Sequence, residues 1–316
     1  MPAPRHLPTS TPAQASLTEA LDGRLARLRP PAPRPAIRVA VPAKGRLHDP
    51  SISLLDDAGL GPEAAADRAY AFPCRNAPVE VLLVRASDIP EYVQDGVVDG
   101  GITGLDLVHE RGARVDEVAR LAYGSCRLEV AVPEESPIGS VDELAGARVA
   151  TAHPRLTRTL LAERGVAVTT VPLTGSVEVA PRLALAEAIT DLVSSGETLR
   201  RNGLQSIGSL FSSEAVLIAP PGRAGRIERL ADVLRSVVDA RAARYFVFNV
   251  PADSLEDAAE VLDRYAWGAL PLANSDAAAV HVVIPAADVW TTLPELKQRG
   301  ASSLGVLPLA RDARRG

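Results

Sequence analysis

The sequence predicts an α/β protein in which a sheet with covered faces is followed by a smaller ferredoxin-like domain. Three observations predict it. Short apolar runs alternate with amphipathic stretches at 148–151, 155–164, 168–172, 176–185 and 188–193, as strands and helices do along a parallel sheet. Several of these runs end in glycine- or serine-rich turns, and ligands of such sheets gather at the carboxyl ends of strands. Residues 245–309 then read strand, helix, strand, strand, helix, strand, the split β-α-β order.

Composition excludes several classes. The 316 residues are 47% apolar and 23% charged, with a formal net charge of −5. That is a globular chain with room for about two or three domains, without the basic excess of a nucleic-acid surface. The two cysteines, Cys74 and Cys126, lie far apart in the chain and indicate neither a disulfide framework nor a zinc site. Apolar runs are strand-sized and far below the ~20 residues of a membrane span. Residues 1–35 are rich in Pro, Ala and Arg and lack the apolar core of a signal peptide. They are expected to form a disordered extension, with a short helix at 16–28, on a cytoplasmic protein.

In chain order, structure is expected to begin with a strand at 37–41, closed by Pro42, followed by Lys44-Gly45-Arg46 and a helix at 50–58 ended by Gly59. Two cations at a glycine turn suit a polyphosphate, and they suit a solvated surface equally well. A strand at 79–84 leads to Asp88, placed to cap the helix that Pro90 begins. Residues 97–106 hold Gly100, Gly101 and Gly104 between Asp99 and Asp106. Because glycine lets a backbone come close to a ligand, this stretch reads as a ligand-facing loop at a strand end.

A strand at 128–132 enters a second lobe. Thr174-Gly175-Ser176 open a helix, either as a ligand contact or as a plain N-cap. The strand at 188–193 ends in Ser194-Ser195-Gly196 and enters a helix at 198–202, stopped by Gly203. The hydroxyls of Ser194, Ser195 and Thr198, the bare backbone of Gly196 and the helix N–H groups make an anion cradle. An ordinary capped loop is the alternative. Asp191 puts a carboxylate inside an apolar strand, which is costly unless it binds something, and ribose hydroxyls are natural partners. A strand at 213–219 returns to the first lobe and a helix spans 223–243. The last domain has strands at 245–250, 269–272, 277–284 and 303–309 and helices at 254–264 and 286–299.

Five segments in order carry a resemblance: Val41-Pro42-Ala43-Lys44-Gly45-Arg46-Leu47, Arg85-Ala86-Ser87-Asp88-Ile89-Pro90, Asp99-Gly100-Gly101-Ile102-Thr103-Gly104-Leu105-Asp106, Gly175-Ser176-Val177-Glu178, and Asp191-Leu192-Val193-Ser194-Ser195-Gly196-Glu197-Thr198-Leu199 with Asn202-Gly203-Leu204. Together they resemble the ATP phosphoribosyltransferases, enzymes of the first step of histidine biosynthesis, in the long form with a C-terminal regulatory domain. The resemblance implies a two-lobed catalytic unit similar to periplasmic binding proteins, followed by a ferredoxin-like (ACT-like) domain. The first lobe is expected at 36–126 plus 211–222, the second at 127–210 and the regulatory domain at 240–310.

The reaction so implied joins N1 of the adenine of ATP to C1 of phosphoribosyl pyrophosphate and releases pyrophosphate, with Mg²⁺ on the diphosphate. A homo-hexamer or dimer and feedback by histidine are implied as well. In these terms Lys44, Arg46 and Arg85 serve phosphates, and Asp191 serves the ribose or an ordered Mg²⁺ water, with Glu187 beside it. Asp99, Gly100, Gly101 and Thr103 fall on the adenosine side. Gly175, Ser194, Ser195, Gly196, Glu197 and Thr198 hold the phosphoribosyl donor.

Three departures stand out. The first 35 residues have no counterpart, Glu187 replaces the usual Asp, and Ala266-Trp267-Gly268 stand where the family has Ser-Pro-Thr. The last removes a hydroxyl and adds an indole, which counts against histidine binding there. A phosphoribosyltransferase with another acceptor, and a two-lobed binding protein without chemistry, stay open as alternatives.

Overall fold

The protein is described here by a computed structural model covering residues 37–61 and 70–310. The helix expected at 16–28 and the extension that carries it lie outside the described residues.

The first lobe opens with β1 (Ile37–Pro42), whose Val39 and Val41 pack on Leu54 and Leu55 of α1 (His48–Asp57). α1 starts two residues earlier than expected, because the His48 N–H already donates to Gly45 O at 3.0 Å. β2 (Ala71–Pro73) and β3 (Val79–Val84) follow, then α2 (Ile89–Gln94), β4 (Gly100–Gly104), α3 (Leu105–Arg111) and β5 (Asp116–Arg120). Asp88 sits at the N-cap of α2 but makes no capping bond, its carboxylate accepting instead from Ser87 Oγ at 2.9 Å.

The second lobe holds β6 (Cys126–Pro133), β7 (Arg148–Thr151), α4 (Pro154–Glu163), β8 (Thr169–Pro172), β9 (Ala188–Val193), α5 (Glu197–Arg201) and β10 (Leu204–Ser213). The helix expected at 176–185 is absent. Two short 3-10 turns, Val177–Val179 and Pro181–Leu183, take its place. Pro181 has no N–H to donate to a helix, and Ala184 ends the stretch in the left-handed region with φ 55°.

The chain returns to the first lobe in β11 (Ala215–Ala219) and passes through α6 (Glu228–Arg241) to β12 (Ala243–Pro251), α7 (Leu255–Leu262), β13 (Trp267–Pro271), β14 (Ala277–Pro285), α8 (Val289–Gln298) and β15 (Ser302–Pro308). Three sheets result, ordered β2-β3-β1-β4-β11-β5, β10-β6-β9-β7-β8 and β13-β14-β12-β15.

In the first sheet β1 runs parallel to β3 and β4, but β11 is antiparallel to both its neighbours, so the expected parallel sheet is confined to the centre. In the second, β7 is parallel to β8 and β9, whereas β6 is antiparallel to β9 and β10. β6 leaves the first lobe and β10 comes back, paired from Leu204↔Pro133 to Ser213↔Cys126. A two-stranded ribbon therefore links the lobes. The third sheet is antiparallel throughout, with α7 and α8 contributing Leu262 and Leu296 to a core around Phe246 and Phe248. This is the expected ferredoxin-like order.

Candidate active site

β1 and β3 end side by side, since the Ala43 N–H donates to Val84 O at 2.7 Å. The turns after them carry Lys44-Gly45-Arg46 and Arg85, and Gly45 takes φ +87°, which favours a residue without Cβ. Lys44 and Arg85 are exposed, and among the described residues no carboxylate pairs with either. Arg46 is held differently. One of its nitrogens donates to Gly124 O, and Nη2 lies 3.2 Å from Asp106 Oδ1.

Asp106, in the first turn of α3, is 1% exposed and gathers groups from both lobes. Its Oδ1 also accepts from Ser213 Oγ at 2.5 Å, and its Oδ2 lies 3.3 Å from His153 Nε2. Burial alone would raise this carboxyl. Hydrogen bonds from His153 and Ser213 and the charges of Arg46 and His153 outweigh it and hold the group below its ordinary value. His153 follows β7, and its backbone N–H donates to Thr151 Oγ1 at 2.9 Å. The sequence reading missed the His153–Asp106 pair. Its signal was an acid two residues after a glycine-rich strand and a histidine two residues after another strand end, unremarkable until the fold brings them together.

In the second lobe Asp191 is half-buried on β9, directly opposite Glu129 of β6. Burial raises its carboxyl, Glu178 adds to this, and only the Leu192 N–H and the charge of His153 oppose it. Among the described residues this carboxylate has no cationic partner and accepts one hydrogen bond, from the Leu192 N–H at 2.8 Å. The turn that follows presents Ser194, Ser195 and Thr198 as exposed residues, with Gly196 at φ +74°. Ser195 Oγ accepts weakly from the Glu197 N–H at 3.5 Å. Glu197 itself pairs with Arg201. Two cavities flank the turn. One of about 310 Å³ takes in Ser194, Cys126 and Ser213, and one of about 450 Å³ takes in Ser195, Gly196, Arg127 and Arg200. α5 has only five residues, so the anion-binding capacity rests on the turn rather than on a helix dipole.

Several expected site residues lie elsewhere. Residues 100–104 are not a loop but the buried strand β4. A Cβ on Gly100 would meet Ile227 Cδ1 at 2.7 Å, and one on Gly101 would meet Ile89 Cγ2 at 2.5 Å. These glycines leave room for neighbouring side chains. Asp99 sits at the amino end of β4, where it accepts from the Arg38 N–H at 2.9 Å and pairs with Arg226. Thr103 is buried and donates to Ala86 O at 2.9 Å. Glu187 precedes β9 and is bound to Arg148, whose hydrogen bonds bring its carboxyl down to about 2. Four steps along the strand separate it from Asp191, roughly 13 Å. Gly175 stands in open space before Ser176, which has φ 52° and makes no capping bond.

Comparison with known proteins identifies the family. Residues 85–236 match the family described as ATP phosphoribosyltransferase, and residues 240–311 match the HisG C-terminal domain. The ATP phosphoribosyltransferase of Halobacterium salinarum is 41% identical over 279 residues, covering 87% of this chain and 99% of its own length. That of Methanosarcina acetivorans is 40% identical over 285 residues, with the same coverage. Among solved structures, an ATP phosphoribosyl transferase (HisG:HisZ) complex from Thermotoga maritima aligns at 25% identity and a TM-score of 0.56, over 64% of this chain and 98% of its own. With two lobes linked by a strand ribbon, a ferredoxin-like domain behind them and this likeness along most of its length, the chain belongs to the ATP phosphoribosyltransferase family.

Proposed function

We propose that the protein transfers the phosphoribosyl group of phosphoribosyl pyrophosphate to N1 of ATP with release of pyrophosphate, the first step of histidine biosynthesis, in the cytoplasm. Family membership supports the reaction. The observation that carries its location is the Arg46–Asp106–His153 contact, which draws the strand ends of both lobes to one place.

Displacement at C1 develops positive charge on the sugar and negative charge on the leaving diphosphate. The adenine N1 lone pair attacks without a general base, so catalysis consists of alignment and charge stabilisation. Lys44 and Arg85, neither paired with a carboxylate among the described residues, and Arg46 are assigned to phosphates. The hydroxyls of Ser194, Ser195 and Thr198 and the backbone at Gly196 and Glu197 are assigned to the donor's 5-phosphate, and Asp191 to its ribose.

Mg²⁺ fits this site as a guest of the diphosphate. Among the described residues no group of three His, Cys, Asp or Glu side chains could hold a metal, and a diphosphate-bound Mg²⁺ needs only one or two carboxylates. Asp191, half-buried and bonded among the described residues to the Leu192 N–H, would supply one through water. The ion would neutralise charge on the departing pyrophosphate.

We assign the C-terminal domain to assembly as a homo-hexamer or dimer. Leu270, Trp290 and Leu307 are exposed on it, at 65%, 88% and 50%, and β13 and β15 are open sheet edges. Trp267 packs into that domain's core, and a Cβ on Gly268 would meet His281 Nε2 at 2.6 Å. This packing supports a structural use of the segment in place of histidine binding.

The test mixes the protein with ATP, Mg²⁺ and phosphoribosyl pyrophosphate and follows adduct absorbance. Each of Lys44→Ala and Arg85→Ala is expected to lower kcat/KM about 10- to 100-fold, the value of a charged hydrogen bond. Pyrophosphate release with a different acceptor only, or none at all, would overturn the reading. Added histidine is expected to leave the rate unchanged.

A further inference from the structure

His153 is 7% exposed, yet only one of its ring nitrogens is used. Nε2 faces Asp106 Oδ2 at 3.3 Å, whereas Nδ1 is buried without a partner among the described residues. Leaving a buried polar atom unmatched costs about 1–3 kcal/mol, and native structures rarely allow it. A histidine kept only for packing would have no reason to bear that cost at this place. The contact it retains runs from the second sheet to the first.

Asp106 transmits the contact. Its two oxygens are divided, Oδ1 to Arg46 and Ser213 and Oδ2 to His153. Arg46 is pinned between this carboxylate and Gly124 O, with its side chain 39% exposed. Further hydrogen bonds surround the contact. Glu110 of α3 accepts the N–H groups of Arg155 at 3.1 Å and Leu156 at 2.8 Å, in the first turn of α4. The Thr157 and Thr190 hydroxyls, 2.6 Å apart, tie α4 to β9.

We propose that His153 is a positioning residue for phosphoribosyl transfer, holding Asp106 so that Arg46 presents its guanidinium to a substrate phosphate. This rests on the reading of the cleft given above. With Nε2–H on Oδ2, the carboxylate offers Arg46 a single oxygen. Without it, Asp106 is free to turn and grip Arg46 through both oxygens, the geometry that Arg and carboxylate prefer. The guanidinium is then drawn into the wall of the lobe and away from the phosphate. The loss falls on alignment in the transition state rather than on ground-state affinity.

The experiment uses the full chain with ATP, Mg²⁺ and phosphoribosyl pyrophosphate, and three variants. His153→Leu is expected to lower kcat about 100-fold, as an ~1 Å misplacement does, with KM values within about threefold of wild type. His153→Gln, whose side-chain amide can donate to Asp106 Oδ2, is expected to restore most of the rate. In an Arg46→Ala background, His153→Leu is expected to cost nothing further, since the two act as one unit. Equal losses in the Leu and Gln variants, a wild-type kcat in His153→Leu, or full additivity with Arg46→Ala would each overturn the proposal. Should His153→Leu fail to fold, His153→Ala, which likewise has no donor for Asp106 Oδ2, takes its place under the same criteria. A wild-type protein that makes no adduct would overturn the functional reading itself, an outcome distinct from all of these.

Discussion

An alanine at position 101 would place its Cβ 2.5 Å from Ile89 Cγ2 and 2.9 Å from Val93 Cγ2, where apolar carbons rest at about 3.5–4.0 Å. Both partners are fully buried on α2. Gly101 pairs with Ala40 on one side and Ile218 on the other, near the middle of the first sheet, so the strand cannot retreat. α2 must lift by roughly 1 Å, which loosens its packing against β1, β4 and β11. Overpacking of this kind costs about 1–3 kcal/mol, and in a chain of this size that lowers Tm by about 2–5 °C. Gly175→Ala is the control, because its added Cβ would meet nothing within 4 Å. Thermal melts followed by circular dichroism, with steady-state kinetics on the same samples, check this. Gly101→Ala should melt earlier with an unchanged KM for ATP, and Gly175→Ala should melt like wild type. An unchanged Tm with a raised KM for ATP would refute the packing argument and return Gly101 to a ligand-facing role.

Two further predictions follow from the carboxylates. Glu187→Gln should leave turnover near wild type, while Asp191→Asn should lower it by at least about tenfold, the effect of one charged hydrogen bond. Equal effects in an adduct assay would show that distance along β9 does not separate their roles. Asp106 is held below its ordinary value, so its contribution to stability is present above the unfolded pKa, near 3.8, and is lost as pH falls through the folded one. Asp106→Asn should therefore be destabilised by about 1–3 kcal/mol near neutral pH, as when a hydrogen bond to a charged group is lost. The gap from wild type should narrow in urea titrations below about pH 4, and a gap constant with pH would count against the ion network.

What the sequence disclosed depended on whether a residue's task is local. β3, β7 and β9 have the boundaries their apolar runs predict, and Pro42 and Gly59 punctuate as read. β10 escaped notice because Ser206, Gly208, Ser209 and Ser212 give it no strand-like pattern. It extends because β6 offers a ladder along its whole length, a tertiary cause that propensity does not register. The glycines of β4 were misread because a bare backbone serves the approach of a helix as well as that of a ligand. The sequence singled out Arg46, Arg85, Asp191 and the Ser194–Gly196 turn, and of these Arg46, Arg85 and the turn lie just past strand ends while Asp191 lies within β9. His153 and Asp106 were not legible, because each acquires meaning only from a partner on the other lobe.

The placement of β11 between β4 and β5 bears on how the chain matures during synthesis. Among the described residues β5 pairs with no strand but β11, so the first sheet stays incomplete until residues 215–219 have left the ribosome. The second sheet, made wholly from residues 126–213, has all its strands before then. At about 5–20 residues per second, the bare edge of β4 waits about 5–20 s for its partner. Through that interval the buried Gly100–Gly104 segment is an open apolar edge, the point at which a nascent chain would first meet a chaperone or another copy of itself.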